Sequence, residues 1–384
     1  MNVAIINLIT RTPLERKKAP KVNSNRDAMI VKFARELQIQ GIDLDLYISD
    51  AYKPINEEKM DVNVIYLPTR LKFIFWPSCL PFTPTLFNKL RNKYDVVICS
   101  ESFQWSTVFA VLAKIFSFKK KMKIIVWQEM AKYQRLFKKI LSLIFYKVGL
   151  RFFLDKYIDK YIPRSQLAKK FLLKQNIEEK KITQSIPHGV DQNVFYYDPN
   201  IKKENYIFSP SRLVHSKGVD VLLKAFAIVS KKIKNIELII QGEGPKYEEY
   251  KALSKKLNIE SKVKFCTERL NHTQMRIRYQ KALVTVISSR SDNVTFSDME
   301  SIVCGTPVII SNGADSHINF LDGKGGMIFN SEDWSQLSDL LLKIIRDTSF
   351  RKHKEKETLE KSKLYFNSYL SKLFMKVILD VSNK

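Results

Sequence analysis

Two cations, Arg212 and Lys217, stand in the run Ser-Arg-Leu-Val-His-Ser-Lys-Gly at residues 211–218, between an apolar stretch and an amphipathic one. A forked guanidinium, an ammonium and the free amides of a helix start together make a diphosphate site. In a chain this rich in lysine, the same run reads equally well as two exposed loop cations. A second run, Gln-Gly-Glu-Gly-Pro at residues 241–245, includes Gly242 and permits a tight turn and close backbone approach to a ligand. Taken singly it is more simply a turn between a strand and a helix. In a third run, Asp292 is followed by Asn293, Val294, Thr295 and Phe296, and then by Glu300. Two carboxylates placed across a loop and one helical turn can face the same cleft and accept from vicinal sugar hydroxyls. Thr295 or Ser297 is placed to cap the helix and leave amides for phosphate. The plainer reading is a solvated acidic loop before a core strand. Glu300 speaks against that, because it sits among Met299, Ile302, Val303 and Cys304, where a carboxylate needs a partner.

The elements that would carry these residues follow from hydrophobic pattern. In the first half, residues 3–8, 43–49, 62–67, 96–99 and 123–127 read as strands, with a helix over 25–40 ended by Gly41. The pattern restarts with strands at 206–209, 237–241, 263–265, 283–287 and 307–311. Helices are expected at 219–232, 246–257, 297–303 and 334–346, and residues 349–382 read as helical and charged. Alternation of this kind predicts an α/β protein with two doubly wound parallel sheets. In such sheets ligands bind beyond the carboxyl ends of strands, where the runs above fall. The join falls within residues 186–205, where Pro187, Gly189 and Pro199 interrupt the periodicity, and the run Ile-Pro-His-Gly-Val-Asp at 186–191 precedes the second domain.

Bulk properties narrow the partners. The chain has 384 residues, which suggests two domains. Lys plus Arg number 65 against 39 acids, a net charge of +26, so an anionic partner is expected. The cysteines Cys79, Cys99, Cys266 and Cys304 form no CxxC pair and read as buried apolar residues of a reducing compartment. The five histidines show no metal spacing, so no metal and no cofactor are expected. The first residues read as a buried strand, not a signal peptide, and no apolar run reaches the roughly 18 residues of a membrane span. A cytoplasmic location is expected.

In order and spacing, these segments resemble glycosyltransferase family 4, retaining enzymes of the GT-B fold. The resemblance rests on Arg212-Leu213, Lys217-Gly218, Gly242-Glu243-Gly244-Pro245, Asp292 to Glu300, and Gly305-Thr306-Pro307-Val308-Ile309. It implies two Rossmann-like domains facing across a cleft: an acceptor domain at 1–190, a nucleotide-sugar domain at 191–362, and a helix at 363–384 packing back on the first. It implies that Arg212 and Lys217 hold the donor diphosphate and stabilise it as it leaves, without a metal. Glu300 would bind the ribose hydroxyls, and Asp292 the transferred sugar. Asn293, Val294, Thr295 and Phe296 would lie near that sugar and the phosphate, while Thr267 and Arg269 would border the base. Asp292 stands where the family has Glu, and Asn293-Val294-Thr295 where it has Gly-Phe-Gly. Those departures leave the sugar open and allow a weakly active or inactive nucleotide-sugar-binding scaffold.

On the acceptor side, Ser100, Glu101, Gln128 and Glu129 follow strands, and Glu129 could act as acceptor ligand or base. It reads just as well as an exposed acid at a helix start. Basic residues interleave with Phe and Leu over 132–174, which fits either an anionic membrane surface or a core helix with a basic outer face. The first alternative places the protein at the inner face of the plasma membrane, extending a glycan or lipid-linked saccharide in bacterial polysaccharide synthesis. A nucleic-acid partner is not expected, since the charge comes with no recognition motif.

Overall fold

The computed structural model describes residues 1–10, 23–56, 58–75, 80–118, 121–132, 145–292 and 295–383. The chain forms two compact units, Met1–His188 with Leu370–Lys384, and Gly189–Tyr369.

The first unit is a six-stranded parallel sheet in the order β3-β2-β1-β4-β5-β6. Its strands are β1 (Asn2–Ile6), β2 (Asp43–Ser49), β3 (Asn63–Leu67), β4 (Val96–Cys99), β5 (Lys123–Gln128) and β6 (Lys160–Pro163). Every residue of β4 is buried. Helices on both faces of a parallel sheet explain why such strands read as continuous apolar runs and not as alternating ones. The helices are α1 (Met29–Ile39), α2 (Thr85–Leu90), α3 (Trp105–Ile115) and α4 (Gln166–Lys174), and Phe145–Leu154 winds as a π-helix. The expected helix over 25–40 starts four residues late. Asn25 instead turns inward, its amide donating to the Tyr52 carbonyl at 2.8 Å and to the Tyr66 hydroxyl at 3.0 Å.

The second unit repeats the topology. Its strands are β7 (Tyr206–Pro210), β8 (Glu237–Gln241), β9 (Val263–Cys266), β10 (Val284–Ile287), β11 (Val308–Ser311) and β12 (Gly326–Phe329). They lie in the order β12-β11-β10-β7-β8-β9, all parallel. Counted from its own first strand, this is the order of the first sheet. Around it lie α5 (Val219–Lys232), α6 (Tyr247–Lys256), α7 (His272–Lys281), α8 (Ser297–Val303), α9 (Trp334–Arg346) and α10 (Thr348–Ser362).

The charged C-terminal stretch forms two helices. A 3₁₀ turn at Lys363–Tyr365 separates α10 from α11 (Asn367–Ser382). From Leu370 onward α11 belongs to the first unit. Leu370, Phe374, Ile378 and Val381 recur at helical spacing and are buried in the same cluster as Phe33, Leu37 and Trp127. Phe374 meets the Trp127 ring at 4.9 Å and the Phe33 ring at 5.4 Å. Phe374→Ala should therefore destabilise the first unit by about 3–5 kcal/mol, measured by denaturant unfolding. A change below about 1 kcal/mol would show that α11 is only laid against the sheet.

Candidate functional site

In the second sheet the strand order reverses between β7 and β10, and a doubly wound sheet opens a crevice at such a point. A pocket of about 200 Å³ lies there, with Ser211, Lys217, Ser288, Asp292, Thr295 and Phe296 among its lining residues.

The loop after β7 reaches this pocket through Gly218, which is left-handed at φ 62° and ψ 29°. A Cβ there would collide with the Ser288 carbonyl oxygen, so glycine is required on two counts. The Ser288 hydroxyl donates to the Lys217 carbonyl at 3.0 Å, and the Arg290 amide to the Ser216 carbonyl at 2.8 Å. Thus held, Lys217 points its ammonium at the Asp292 carboxylate and forms an ion pair with it. Asp292 is itself fixed, its amide donating to Gly313 and its carbonyl accepting from Asp315 at 2.9 Å. The cation and the carboxylate that the sequence assigned to different parts of a ligand therefore neutralise each other.

Glu300 lies on α8, partly buried. It finds its partner in Tyr279 of α7, whose hydroxyl donates to it at 2.7 Å. Burial pushes its carboxyl up to about 7, with the charge of Asp298 adding to the rise and the Tyr279 bond opposing it. Asp298, fully buried on the same helix, is likewise pushed up to about 7 by burial, against hydrogen bonds from Thr295 and Asn319.

Thr295 and Ser297 do not cap α8. The N-cap is Phe296, and no side chain bonds there. The Thr295 hydroxyl is taken by Asp298, to which it donates, and by Ser316. Since Thr295 has one proton to give, Ser316 is the donor of that second bond. Asn293 and Val294 lie outside the described residues.

The remaining expected residues are spread around this centre. Arg212 is exposed. Gly242 has φ 147°, but its open face meets Ser211 and not free space, because a Cβ would strike the Ser211 carbonyl. Its glycine serves the packing of one loop on another. Thr267 and Arg269 are exposed, on a loop that the Gln241 side chain anchors by donating to the Cys266 carbonyl at 3.1 Å and to Glu268 at 2.7 Å. Among the described residues no group of three His, Cys, Asp or Glu side chains gathers as a metal site. Cys99, Cys266 and Cys304 are free thiols, and Cys79 lies outside the described residues.

In the first unit, Glu129 is exposed and pairs with Arg164 at 2.6 Å. Arg164 is 7% exposed and lies over the Trp127 ring at 4.4 Å. Glu101 is buried and accepts from the amides of Met130 at 2.9 Å, Ser102 at 3.2 Å and Glu129 at 3.3 Å. Burial pushes its carboxyl up to about 8, even against the Met130 amide. Ser100 and Gln128 are buried beside it. Gln128 accepts from the Ser102 hydroxyl at 2.7 Å, so Glu101 and Gln128 together lock the loop that presents Glu129.

Four participants escaped sequence reasoning: Tyr279, Asp298, Arg164 and Arg290. A second acid two residues before Glu300, beside the apolar Met299, Ile302 and Val303, was the available signal for Asp298. The other three act through residues distant in the chain, and nothing local marks them.

The family match falls on the second unit, and the structural matches run over both. Residues 197–361 match the family model "Glycosyl transferases group 1". A Campylobacter jejuni alpha-1,4-N-acetyl-D-galactosaminyltransferase acting on a diNAcBac-PP-undecaprenol-linked saccharide is 28% identical over 49% of this chain and 51% of its own. A GDP-mannose-dependent phosphatidylinositol monomannoside mannosyltransferase of Mycolicibacterium smegmatis is 24% identical over 42% of this chain and 47% of its own. The chain spans about half the length of the curated relatives it matches. Among solved structures, Anabaena HepE in complex with UDP aligns with a TM-score of 0.73 at 12% identity, over 99% of this chain and 100% of that one. Sucrose-phosphate synthase from Thermosynechococcus elongatus aligns at 0.71 and 17% identity, over 99% and 98%. At such identities the likeness is one of fold. The chain has the fold of the GT-B glycosyltransferases, and residues 197–361 of the second unit are similar to the group 1 glycosyl transferases.

Proposed function

We propose that the protein transfers a sugar from a UDP- or GDP-sugar to a hydroxyl of a glycan or lipid-linked saccharide, with retention and without a metal. The observation that carries this reading is the Lys217–Asp292 pair in a pocket at the β7/β10 switch point, with the Glu300 carboxyl further along α8. Lys217 and the exposed Arg212 supply fixed positive charge for a diphosphate that departs as an anion, and Glu300 accepts ribose hydroxyls. Asp292 is released by the incoming diphosphate to accept from the sugar. In the first unit, Glu129, held by Arg164, serves the acceptor. The two relatives, an undecaprenol-linked saccharide transferase and a phosphatidylinositol mannoside transferase, support a lipid-linked acceptor.

A second reading, a weakly active or inactive scaffold, is favoured by one observation. Thr295 stands in the pocket wall with its hydroxyl already committed to Asp298 and Ser316. Thermal stabilisation by UDP-, GDP-, ADP- and CMP-sugars in EDTA tests both. One nucleotide class should raise the melting temperature, and Lys217→Ala and Glu300→Ala should each remove most of the shift. Asp292→Asn should bind the free nucleoside diphosphate more tightly, because its competitor for Lys217 is gone, while transferring more slowly. Binding without transfer or donor hydrolysis favours the scaffold, and no shift with any compound sinks the site.

The raised Glu300 carboxyl gives a pH signature. Ligand hydroxyls favour the ionised form, so binding pulls the pKa below about 7. Affinity for a nucleotide-sugar, whose phosphates do not titrate in this range, should be full above pH 7.5. It should fall by up to about tenfold per unit as pH drops below 7. Asp298 titrates nearby, so the control is Glu300→Gln, which should flatten the profile if Glu300 is the source. An unchanged slope in that variant would move the effect to Asp298.

The protein would work on an anionic membrane surface. On the π-helical stretch Val148, Phe152 and Phe153 are exposed between the exposed Lys147, Arg151 and Lys156, while Tyr146, Leu150 and Leu154 face the core. Apolar side chains ringed by cations suit an anionic headgroup layer. Among the described residues no helix is long and apolar enough to cross a membrane. Binding to phosphatidylglycerol vesicles should exceed binding to phosphatidylcholine and should drop severalfold in a Phe152→Ser, Phe153→Ser double variant. Equal cosedimentation with both lipids would refute this.

A further inference from the structure

Arg290 ties together three segments of the second unit that are far apart in sequence. Its guanidinium forks onto Asp220 in the first turn of α5, with both N–O distances 2.7 Å. The same group bonds Glu332, which precedes α9, through Nε and through Nη2 at 3.0 Å. Nη1 also donates to the His215 carbonyl at 2.8 Å, and the Arg290 amide to the Ser216 carbonyl at 2.8 Å. These last two acceptors belong to the turn that ends in Lys217. The Arg290–Asp220 half of the clamp is mostly shielded, with the Arg290 side chain 15% exposed, while Glu332 stands open to solvent. Burial alone would raise the Asp220 carboxyl, but the guanidinium holds it below the usual carboxylate range.

Glu332 adds an independent mark. It is a non-glycine residue at φ 88°, a conformation that L side chains seldom adopt. Such strain persists where surrounding contacts hold it, and here the contact is the Arg290 guanidinium.

We propose that Arg290 is the positioning residue for Lys217: by gripping the 215–217 turn from both sides, it sets where the ammonium meets a diphosphate. This rests on the diphosphate role of Lys217 proposed above. Arg290 itself is spent on Asp220, Glu332 and two carbonyls, so it acts through the turn and not by touching the ligand.

The test is calorimetric binding of UDP and GDP, each beside its nucleoside, to the full chain. For the diphosphate that binds wild type, Arg290→Gln should weaken affinity roughly tenfold or more. Uridine or guanosine should bind as before. Arg290→Lys, which keeps charge but not the fork, should restore little of the loss. Asp220→Asn should reproduce part of it, which keeps the question answerable if Arg290→Gln folds poorly. On a Lys217→Ala background, Arg290→Gln should cost nothing further, since the group it positions is gone. Wild-type affinity in Arg290→Gln and Asp220→Asn, equal losses for nucleoside and diphosphate, or full additivity with Lys217→Ala would each overturn the proposal. If wild type binds neither diphosphate, the reading of the site itself falls, and this falls with it, a failure visible before any variant is made.

Discussion

The Lys217 ammonium rests against the Asp292 carboxylate, and much of the second unit is arranged to make that contact. The two residues are 75 positions apart and arrive on different strands. They meet because β7 and β10 are neighbours at the point where the sheet changes direction. A loop leaving β7 must then turn sharply enough to lie on the end of β10. Gly218 allows this by taking a left-handed turn with its missing Cβ against Ser288. Once the loop is down, Ser288 and Arg290 hold its carbonyls, and the lysine can only project into the pocket. An ammonium with an exposed stem would be flexible. One whose backbone is bonded on both sides of the turn is aimed.

The pair also shapes what the pocket can accept. A lone lysine would attract any anion, whereas one already neutralised yields only to a ligand that outcompetes a carboxylate in place. In the donor role proposed for the pocket, a diphosphate would do so with two charges and many acceptor oxygens. Displacing Asp292 frees its carboxylate for hydroxyl donors in the same volume. The exchange favours ligands carrying an anion and a polyol close together over those carrying either alone. Arg212 is exposed on the same loop.

Much of this was legible in the sequence, for a physical reason. Strands buried on both faces write themselves as short apolar runs, so most of both sheets could be read, and Lys217, Asp292, Thr295 and Phe296, which follow such runs, do line one pocket. What escaped lacked such a signature. β6 opens with Lys160 and closes on Pro163, and β12 begins at Gly326, so neither looks like an apolar run. The fate of Thr295 turned on Asp298 and Ser316, the latter twenty-one residues downstream of Thr295. A small hydroxyl residue before a helix normally caps it. Here the buried Asp298 carboxyl claims the hydroxyl instead, because a buried carboxyl short of donors costs more than an uncapped helix. The ion pairs of Arg290 span 70 and 42 residues. Such pairings are set by the fold, and no local pattern announces them.

The two carboxyls of α8 show how little separates binding chemistry from packing. Asp298 and Glu300 are two residues apart on one helix, both pushed up to about 7 chiefly by burial, and the charge of Asp298 raises that of Glu300. Near neutrality each holds its proton part of the time. What distinguishes them is access. Asp298 is sealed, and its hydrogen bonds come from Thr295 and Asn319 within the protein. Glu300 keeps partial exposure, and Tyr279 satisfies only one of its oxygens. A carboxyl that is costly to ionise, partly open and half-satisfied gains most from new hydroxyl donors. The same burial that makes Glu300 costly to ionise makes it the group on α8 that a polyol ligand would relieve.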